Sequence, residues 1–203
     1  MDDPEIIRCV AIGDGYVGKT SLLSRLSGKK ISENYASTIF ENSMVSVIHN
    51  NKKYDLFLID TAGQEEYNIL RTQAYSYGDI FLLCYSVDNM DSFINIREMW
   101  LPEVKTCKDN AKFLLIGLKN DLRTDVETID RLNISKKIFV SREDAENMAK
   151  KLGIMHIECS SKTQDNFNQM INDIIELGRM IELEHKSCSM TNWFRNMFPC
   201  FAL

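Results

Sequence analysis

The residues Gly13-Asp14-Gly15-Tyr16-Val17-Gly18-Lys19-Thr20 have the types and spacing of a phosphate-binding loop, GxxxxGK[ST]. The motif follows an apolar strand-like run, Ile6–Ile12, and opens a helix-like segment, Lys19–Leu26, which is the context that it requires. Glycines let backbone N–H groups wrap a phosphate, and the N-terminus of the helix adds a favourable dipole. Lys19 is expected to reach the terminal phosphates and the Thr20 hydroxyl to bind Mg²⁺. The predicted nucleotide-binding residues here are Gly15, Tyr16, Val17, Gly18, Lys19, Thr20 and Ser21.

A second motif, Asp60-Thr61-Ala62-Gly63-Gln64-Glu65, directly follows the apolar run Leu56–Ile59. Beside a phosphate loop, Asp60 can hold Mg²⁺ opposite Thr20, directly or through water. Gly63 offers an unhindered N–H to a terminal phosphate, and Gln64 can orient an attacking water. We therefore predict Gln64, Gly63 and Lys19 as the catalytic residues and Asp60 as part of the metal site.

The elements that must position these motifs alternate between strand-like and helix-like patterns. Beyond those above, strands are predicted at Met44–Ile48, Tyr54–Ile59, Ile80–Val87, Phe113–Leu118 and Met155–Cys159. Helices are predicted at Asp91–Val104 (capped by Asp91), from Ser141 to about Leu152, and at Phe167–Leu183; the second of these opens with Ser141-Arg142-Glu143-Asp144, in the manner of a capping box. This alternation predicts an α/β fold: an open, mostly parallel sheet with helices on both faces and an antiparallel edge formed by a hairpin at residues 49–53. Ligands of such sheets bind at the carboxyl ends of the strands, where both motifs lie.

Composition narrows the possible functions. The chain has 203 residues, which suits one domain, and its formal net charge of −5 argues against nucleic acid as a partner. The acidic N-terminus is not a secretory signal, and no apolar run is long enough to cross a bilayer, so we expect a cytosolic protein. Six cysteines occur without CxxC pairs; we expect Cys9, Cys84, Cys107 and Cys159 to be buried free thiols.

The two motifs together resemble the Ras superfamily of small GTPases, and further stretches resemble its Rho/Rac branch. The segments Tyr35–Asn42 and Gln64–Tyr67 with Leu70-Arg71 are similar to the first and second switches of that branch, and Asp121-Leu122-Arg123 precedes a charged segment, 124–137, similar to its insert helix. The resemblance implies the P-loop NTPase (small G-protein) fold with six strands, a G domain over 1–183, and a membrane-targeting tail over 184–203.

The resemblance also implies roles for individual residues. Thr38 would bind Mg²⁺ and sense the γ-phosphate, while Lys119, Asp121 and the loop Cys159–Lys162 would recognise guanine. Further implied nucleotide contacts are Ile31, Tyr35, Ser160, Ser161 and Lys162; implied effector and switch residues are Tyr35, Thr38, Phe40, Glu41, Asn42, Tyr67, Leu70 and Arg71. The implied ligands and partners are GTP or GDP with Mg²⁺, exchange factors, activating proteins, a dissociation inhibitor and effectors acting on the cytoskeleton.

Several positions depart from the family pattern. Leu118 replaces a polar residue that ties the base loop to the phosphate loop, Ile31 replaces an aromatic residue that packs against guanine, and Tyr16 and Ile59 are also atypical. Leu118 and Ile31 suggest weak retention of nucleotide and hence rapid exchange, unless other packing compensates. A permanently GTP-loaded scaffold that rarely hydrolyses is the alternative function, although Gly15 and Gln64 favour a hydrolysing switch.

The last four residues, Cys200-Phe201-Ala202-Leu203, form a CaaX box whose leucine favours geranylgeranyl transfer to Cys200. A single lipid anchors only marginally, so a second signal is expected. Cys188 offers a further lipidation site, and the apolar residues around Trp193 and Phe194 suit either a membrane interface or packing against protein. The predicted location is the cytoplasmic face of a membrane, with a cytosolic pool.

Overall fold

The computed structural model describes residues 4–29, 40–63 and 68–197, and its centre is a six-stranded sheet in the order β2-β3-β1-β4-β5-β6. All neighbouring pairs are parallel except β2 with β3. The strands are β1 Glu5–Ile12, β2 Phe40–His49, β3 Lys52–Thr61, β4 Ile80–Ser86, β5 Lys112–Leu118 and β6 Met155–Glu158. The predicted α/β sheet with one antiparallel edge is confirmed.

The antiparallel edge is a tight hairpin. Asn50 and Asn51 both have positive φ, 50° and 61°, which is the conformation of a two-residue type I′ turn and one that asparagine tolerates. The pairing then runs without interruption from His49 opposite Lys52 to Phe40 opposite Thr61. The two strands of the hairpin, β2 and β3, are longer than the apolar patterns predicted, because ladder hydrogen bonds continue through polar residues. This length carries Asp60 and Thr61 to the site edge of the sheet.

Helices cover both faces of the sheet, as predicted. They are α1 Lys19–Leu26, α2 Asn68–Tyr75, α3 Met90–Asn95, α4 Leu101–Cys107, α5 Val126–Ile134, α6 Arg142–Leu152 and α7 Phe167–Met197. One buried cluster joins the sheet to α1 and α7, and a second joins the opposite face to α2, α3, α4 and α6. Cys9, Cys84 and Cys159 lie in this interior, whereas Cys107, at the end of α4, is exposed and the prediction that it is buried is wrong.

Helix boundaries follow capping chemistry. Ser141 caps α6 as predicted, because its hydroxyl accepts a hydrogen bond from Asp144 N at 3.0 Å. The cap of α3 is Asn89 and not Asp91, since the Asn89 side chain accepts from Ser92 N and lets the helix start earlier. The single helix predicted over Asp91–Val104 is instead interrupted by a π-helical turn, Ile96–Trp100, between α3 and α4.

The final helix is longer than expected. α7 continues past the predicted end at Leu183 to Met197, because residues 184–197 contain no proline or glycine to stop it. A Glu182–Lys186 ion pair at 2.6 Å, four residues apart, supports this extension. Among the described helices, α7 included, none combines the length and apolar character needed to span a bilayer.

An ion-pair cluster holds the loops at the edge of the sheet formed by β6. Glu158, the last residue of β6, has a 4% exposed side chain and accepts hydrogen bonds from Arg123 Nε at 2.9 Å and from Arg142 Nε at 3.1 Å. Arg123 belongs to the 3₁₀ turn Asn120–Thr124 that follows β5. Since breaking a buried pair leaves an uncompensated charge, this contact holds the turn firmly against β6.

Candidate nucleotide site

The loop between β1 and α1 has the backbone that a phosphate cradle needs. Gly13 has φ +142°, and a Cβ there would lie 2.1 Å from the Cys84 carbonyl oxygen of β4. Gly18 has φ +111° and forms the N-terminal cap of α1. Both positions therefore require glycine. Tyr16 also has positive φ, 64°, in a residue type that rarely adopts it, and its ring is exposed.

Lys19 lies inside this loop. Its ammonium group donates to the carbonyl oxygens of Gly13 at 2.7 Å and Asp14 at 2.8 Å, and the residue is only 6% exposed. Burial lowers the pKa of Lys19, and nearby acidic groups, including Asp60 and Asp14, partly oppose that shift. A buried cation enclosed by backbone dipoles is a suitable partner for phosphate oxygens.

Oxygen donors for a metal ion lie beside the cradle. Thr20 in the first turn of α1 and Asp60 near the end of β3 line the same small cavity, next to a Lys29–Glu41 ion pair of 2.6 Å. Hydroxyl and carboxylate oxygens are the ligands that Mg²⁺ prefers, so the donor set fits this ion. Bound there, Mg²⁺ would offset the negative charge of phosphate oxygens, with Thr20 and Asp60 as its protein contacts.

The segment after β3 closes directly onto the cradle. Thr61 Oγ1 donates to Ala11 O at 2.7 Å, which fixes the end of β3 to β1. Two residues later, a Cβ on Gly63 would lie 2.5 Å from Gly13 O and 2.5 Å from Gly15 N. Two backbones thus touch at a position that no side chain can enter.

A second loop reaches the cradle from β5. Lys119, in the left-handed conformation with φ 61°, donates from Nζ to Tyr16 O at 2.7 Å, and burial lowers its pKa. Leu118 is 1% exposed and lies 3.7 Å from where a Cβ on Gly18 would be. Leu118 therefore packs as a core residue, while Lys119 provides a polar tie between the two loops.

The predicted base-recognition residues are brought together. Ser160, fully buried, donates from Oγ to Asp121 Oδ1 at 2.6 Å and accepts from the backbone N–H groups of Lys162 and Thr163. Arg25 of α1 donates to Ser161 O at 3.0 Å, which links this loop to the helix that follows the cradle. Asp121 Oδ2 has no hydrogen bond within the described ranges and remains able to accept from a ligand.

Other predicted residues are placed differently or lie outside the described part of the chain. Ile59 is buried in the sheet. Arg71, assigned to the second switch, is 3% exposed and bonds inward to Glu103 and Ala62 O, so its guanidinium does not contribute to an exposed surface. Glu41 and Asn42 are exposed on β2. Outside the described residues lie Ile31, Tyr35, Thr38, Gln64, Tyr67 and Cys200, together with the side chains of Phe40, Leu70 and Cys188.

Sequence reasoning missed the residues that hold the cradle from outside. Asp14, a variable position of the motif, accepts hydrogen bonds from Trp100 Nε1 at 2.7 Å and Asn95 Nδ2 at 2.8 Å. Arg25 was likewise missed. These partners are far apart in the chain, and no local sequence pattern marks them.

The contact at Gly63 gives a direct test. Replacing Gly63 by Ala places a methyl group against backbone atoms that cannot move aside cheaply, so the segment must shift away from the cradle. We expect affinity for a non-hydrolysable GTP analogue to fall about tenfold or more, a loss of at least 1.4 kcal/mol. GDP affinity should change little, because Gly63 is predicted to contact the terminal phosphate of GTP, which GDP lacks.

The matched control is Gly178→Ala, where the added Cβ meets the Ile7 side chain at 2.5 Å in the core. This position lies in α7, away from the cradle, so the ratio of the two affinities should stay unchanged. Equal affinities of the Gly63→Ala and unmodified proteins for the GTP analogue, in equilibrium titrations, would contradict the assigned contact.

Comparison with known protein families agrees with this geometry. A family model described as "Ras family" matches residues 8–179, which include β1, the cradle, Gly63, and both loops that carry the base-recognition residues. The match covers most of the chain and every part of the site described above. The chain therefore belongs to the Ras family and is a small GTPase that binds guanine nucleotide.

Proposed function

We propose that this protein is a membrane-tethered, Rho-like switch that binds GTP with Mg²⁺ and hydrolyses it to GDP. The observation that carries the proposal is the contact of Gly63 with the Gly13–Gly15 backbone, in a chain whose base loops are tied to the same cradle. A γ-phosphate bound in the cradle beside Gly63 would bear on the position of Gly63. Binding of that phosphate would therefore change the position of the chain segment that begins at Gly63.

The chain's own residues divide the chemistry. Lys19 and the loop N–H groups bind the phosphates, and Asp121 selects the base through an acceptor pair that Ser160 orients. Gln64 holds the attacking water, and Thr38 senses the γ-phosphate, both as proposals from the family motif. Intrinsic hydrolysis should be slow, on the order of 10⁻⁴ per second, because we expect an activating protein to supply the arginine finger.

Base selection is tested by Asp121→Asn. The carboxylate accepts from the N1 and N2 donors of guanine, whereas an amide can donate to the C2 carbonyl of xanthine. We expect GDP affinity to fall at least about a hundredfold and xanthosine diphosphate to bind better than GDP, since a mismatched polar pair is strongly rejected. Competition titrations measure both. Asp130→Asn, an exposed acid on α5, is the control and should bind like the unmodified protein; equal binding of ADP and GDP by the unmodified protein contradicts the role.

Hydrolysis is tested by Gln64→Leu. Loss of the water-orienting amide should reduce single-turnover GTP hydrolysis about tenfold or more, and GDP affinity should stay unchanged, because only the chemical step uses this residue. Gln73→Leu, an exposed glutamine on α2, provides a control of the same type. If the unmodified protein releases no phosphate even with an activating partner, it is a permanently loaded scaffold and the switch proposal is wrong.

We expect this protein to release GDP faster than is usual in its family. The Lys119–Tyr16 tie is present, but the additional polar tie that a Thr at position 118 would supply is lacking. Leu118→Thr should slow GDP release about threefold to tenfold, because one neutral hydrogen bond is worth about 0.5–1.5 kcal/mol and affinity changes appear mainly in dissociation. Leu118→Ile, which adds no donor, is the control. Release of a fluorescent GDP analogue at the same rate in all three proteins means that existing contacts already hold the base loop.

The Rho-branch assignment rests on the switch sequences and on the segment 124–137. That segment contains α5, capped by Asp125, with Val126 and Ile134 exposed at its two ends. From the branch we propose exchange factors, activating proteins, a dissociation inhibitor and actin-cytoskeleton effectors as partners.

Membrane attachment should require Cys200. Cys200→Ser removes the prenylated thiol, so we expect the protein to move entirely to the soluble fraction of cells, since no lipid then anchors the tail. Cys188→Ser should weaken attachment without abolishing prenylation. Cys107→Ser, at an exposed cysteine of the folded domain, is the control. Fractionation that finds the Cys200 variant still on membranes would contradict a lipid anchor at this residue.

A further inference from the structure

One tryptophan contacts both the phosphate cradle and helix α2. Trp100 is 1% exposed; its indole N–H donates to Asp14 Oδ1 at 2.7 Å, and the guanidinium of Arg71 lies over its ring at 4.8 Å from the ring centroid. Asp14 belongs to the cradle, and Arg71 to α2. We propose that Trp100 is a positioning residue that couples the cradle to the Ala62–Gly63 segment and so sets the rate of GTP hydrolysis; this rests on the proposed function.

The cradle side of the bridge is a charge-assisted contact. The two carboxylate oxygens of Asp14 each accept one hydrogen bond, Oδ1 from Trp100 and Oδ2 from Asn95 at 2.8 Å. Both donors come from the same short stretch of chain, so Asp14 is held by a single rigid unit. Since bonds to a charged group are the stronger ones, the backbone of Asp14 and Gly15 follows the position of this unit.

The other side of the bridge reaches the residue before Gly63. Arg71 Nη1 donates to Ala62 O at 3.1 Å, and its Nε and Nη2 bind the Glu103 carboxylate at 2.9 and 3.2 Å. Tyr75 donates to the same carboxylate at 2.7 Å. The guanidinium is thus fixed in one plane against the Trp100 ring. Ala62 cannot move relative to Asp14 without changing this contact.

The π-helical turn explains how Trp100 reaches this place. The turn Ile96–Trp100 lies between α3 and α4, and Pro102 follows two residues later. Proline lacks the N–H that would continue an α-helix, which favours a wider turn just before it. Such turns are frequent at functional sites because they re-aim side chains. The turn brings Asn95 and Trp100 to Asp14 of the cradle, and it brings Glu103 to Arg71 of α2.

The two routes between the same segments give the bridge a specific consequence. Gly63 touches the Gly13–Gly15 backbone directly, and Ala62 is linked to Asp14 through Arg71 and Trp100. A γ-phosphate bound in the cradle beside Gly63 would lie near both contacts, whereas Lys119, Asp121 and Ser160, the residues predicted to hold the base, lie elsewhere. Weakening Trp100 should therefore impair hydrolysis more than GDP retention.

The experiment uses the full chain with Trp193→Phe as background, which leaves Trp100 as the sole tryptophan of the two in the sequence. Emission of Trp100 should differ between the GDP complex and a complex with a non-hydrolysable GTP analogue. Trp100→Phe keeps a ring under Arg71 and removes the N–H. We expect it to slow single-turnover hydrolysis about tenfold while GDP release changes less than about twofold, an asymmetry confined to the chemical step.

A double-mutant cycle separates the bridge from general packing. Asp14→Ala and Trp100→Phe should each slow hydrolysis, and the double variant should be no slower than the worse single variant, because both remove one shared contact. Phe113→Leu, a buried change in the same core away from the cradle, is the structural control. It should lower stability without changing hydrolysis.

In the hydrolysis assays, any of three results overturns the proposal: unchanged hydrolysis in Trp100→Phe, fully additive effects in the cycle, or an equal loss in Phe113→Leu. The same cycle measured by denaturant unfolding needs no nucleotide, and zero coupling between Asp14 and Trp100 there also overturns it. A protein that binds no guanine nucleotide would refute the proposed function separately, because the unfolding cycle still reports whether the bridge exists.

Discussion

The close approach of two backbones, Gly63 against Gly13–Gly15, is the constraint on which the rest of the site depends. At 2.5 Å from a Cβ position to backbone atoms, only glycine fits, so the end of β3 and the phosphate cradle can lie in contact. Parallel pairing of β1 with β3 sets the approximate distance, and the Thr61–Ala11 hydrogen bond fixes it. The contact makes a phosphate in the cradle and the following segment mutually dependent.

The base-binding half is held by a different set of forces. Ser160 orients Asp121, Lys119 reaches Tyr16 O, and the buried Glu158 secures the turn that carries Asp121 through Arg123. These contacts come from β5, β6 and the loops beyond them, on the opposite side of β1 from Gly63. The proposed switch would use this division, because the phosphate end could then respond to nucleotide state while the base stays bound.

Sequence patterns predicted what local chemistry decides. The cradle, helix α1 from Lys19 to Leu26, the hairpin and the Ser141 cap all depend on residues close in the chain. The π-helical turn and the inward placement of Arg71 depend on partners distant in sequence, such as Asp14 and Glu103, so no local pattern could reveal them. The extension of α7 was missed because residues 184–197 precede a CaaX box and were assigned to a membrane-targeting tail, although they contain no proline or glycine to stop an existing helix.

The central claim is that this site holds a guanine nucleotide in the protein as it is made in cells. The most direct measurement is to purify the full chain in Mg²⁺ buffer, denature it, and identify the released nucleotide by chromatography. The account predicts GDP or GTP at about one per chain, because the buried Lys19 ammonium and a metal ion at Thr20 and Asp60 would both offset the negative charge of the phosphates. Folded protein that releases no nucleotide, or releases adenine nucleotides in its place, would contradict it.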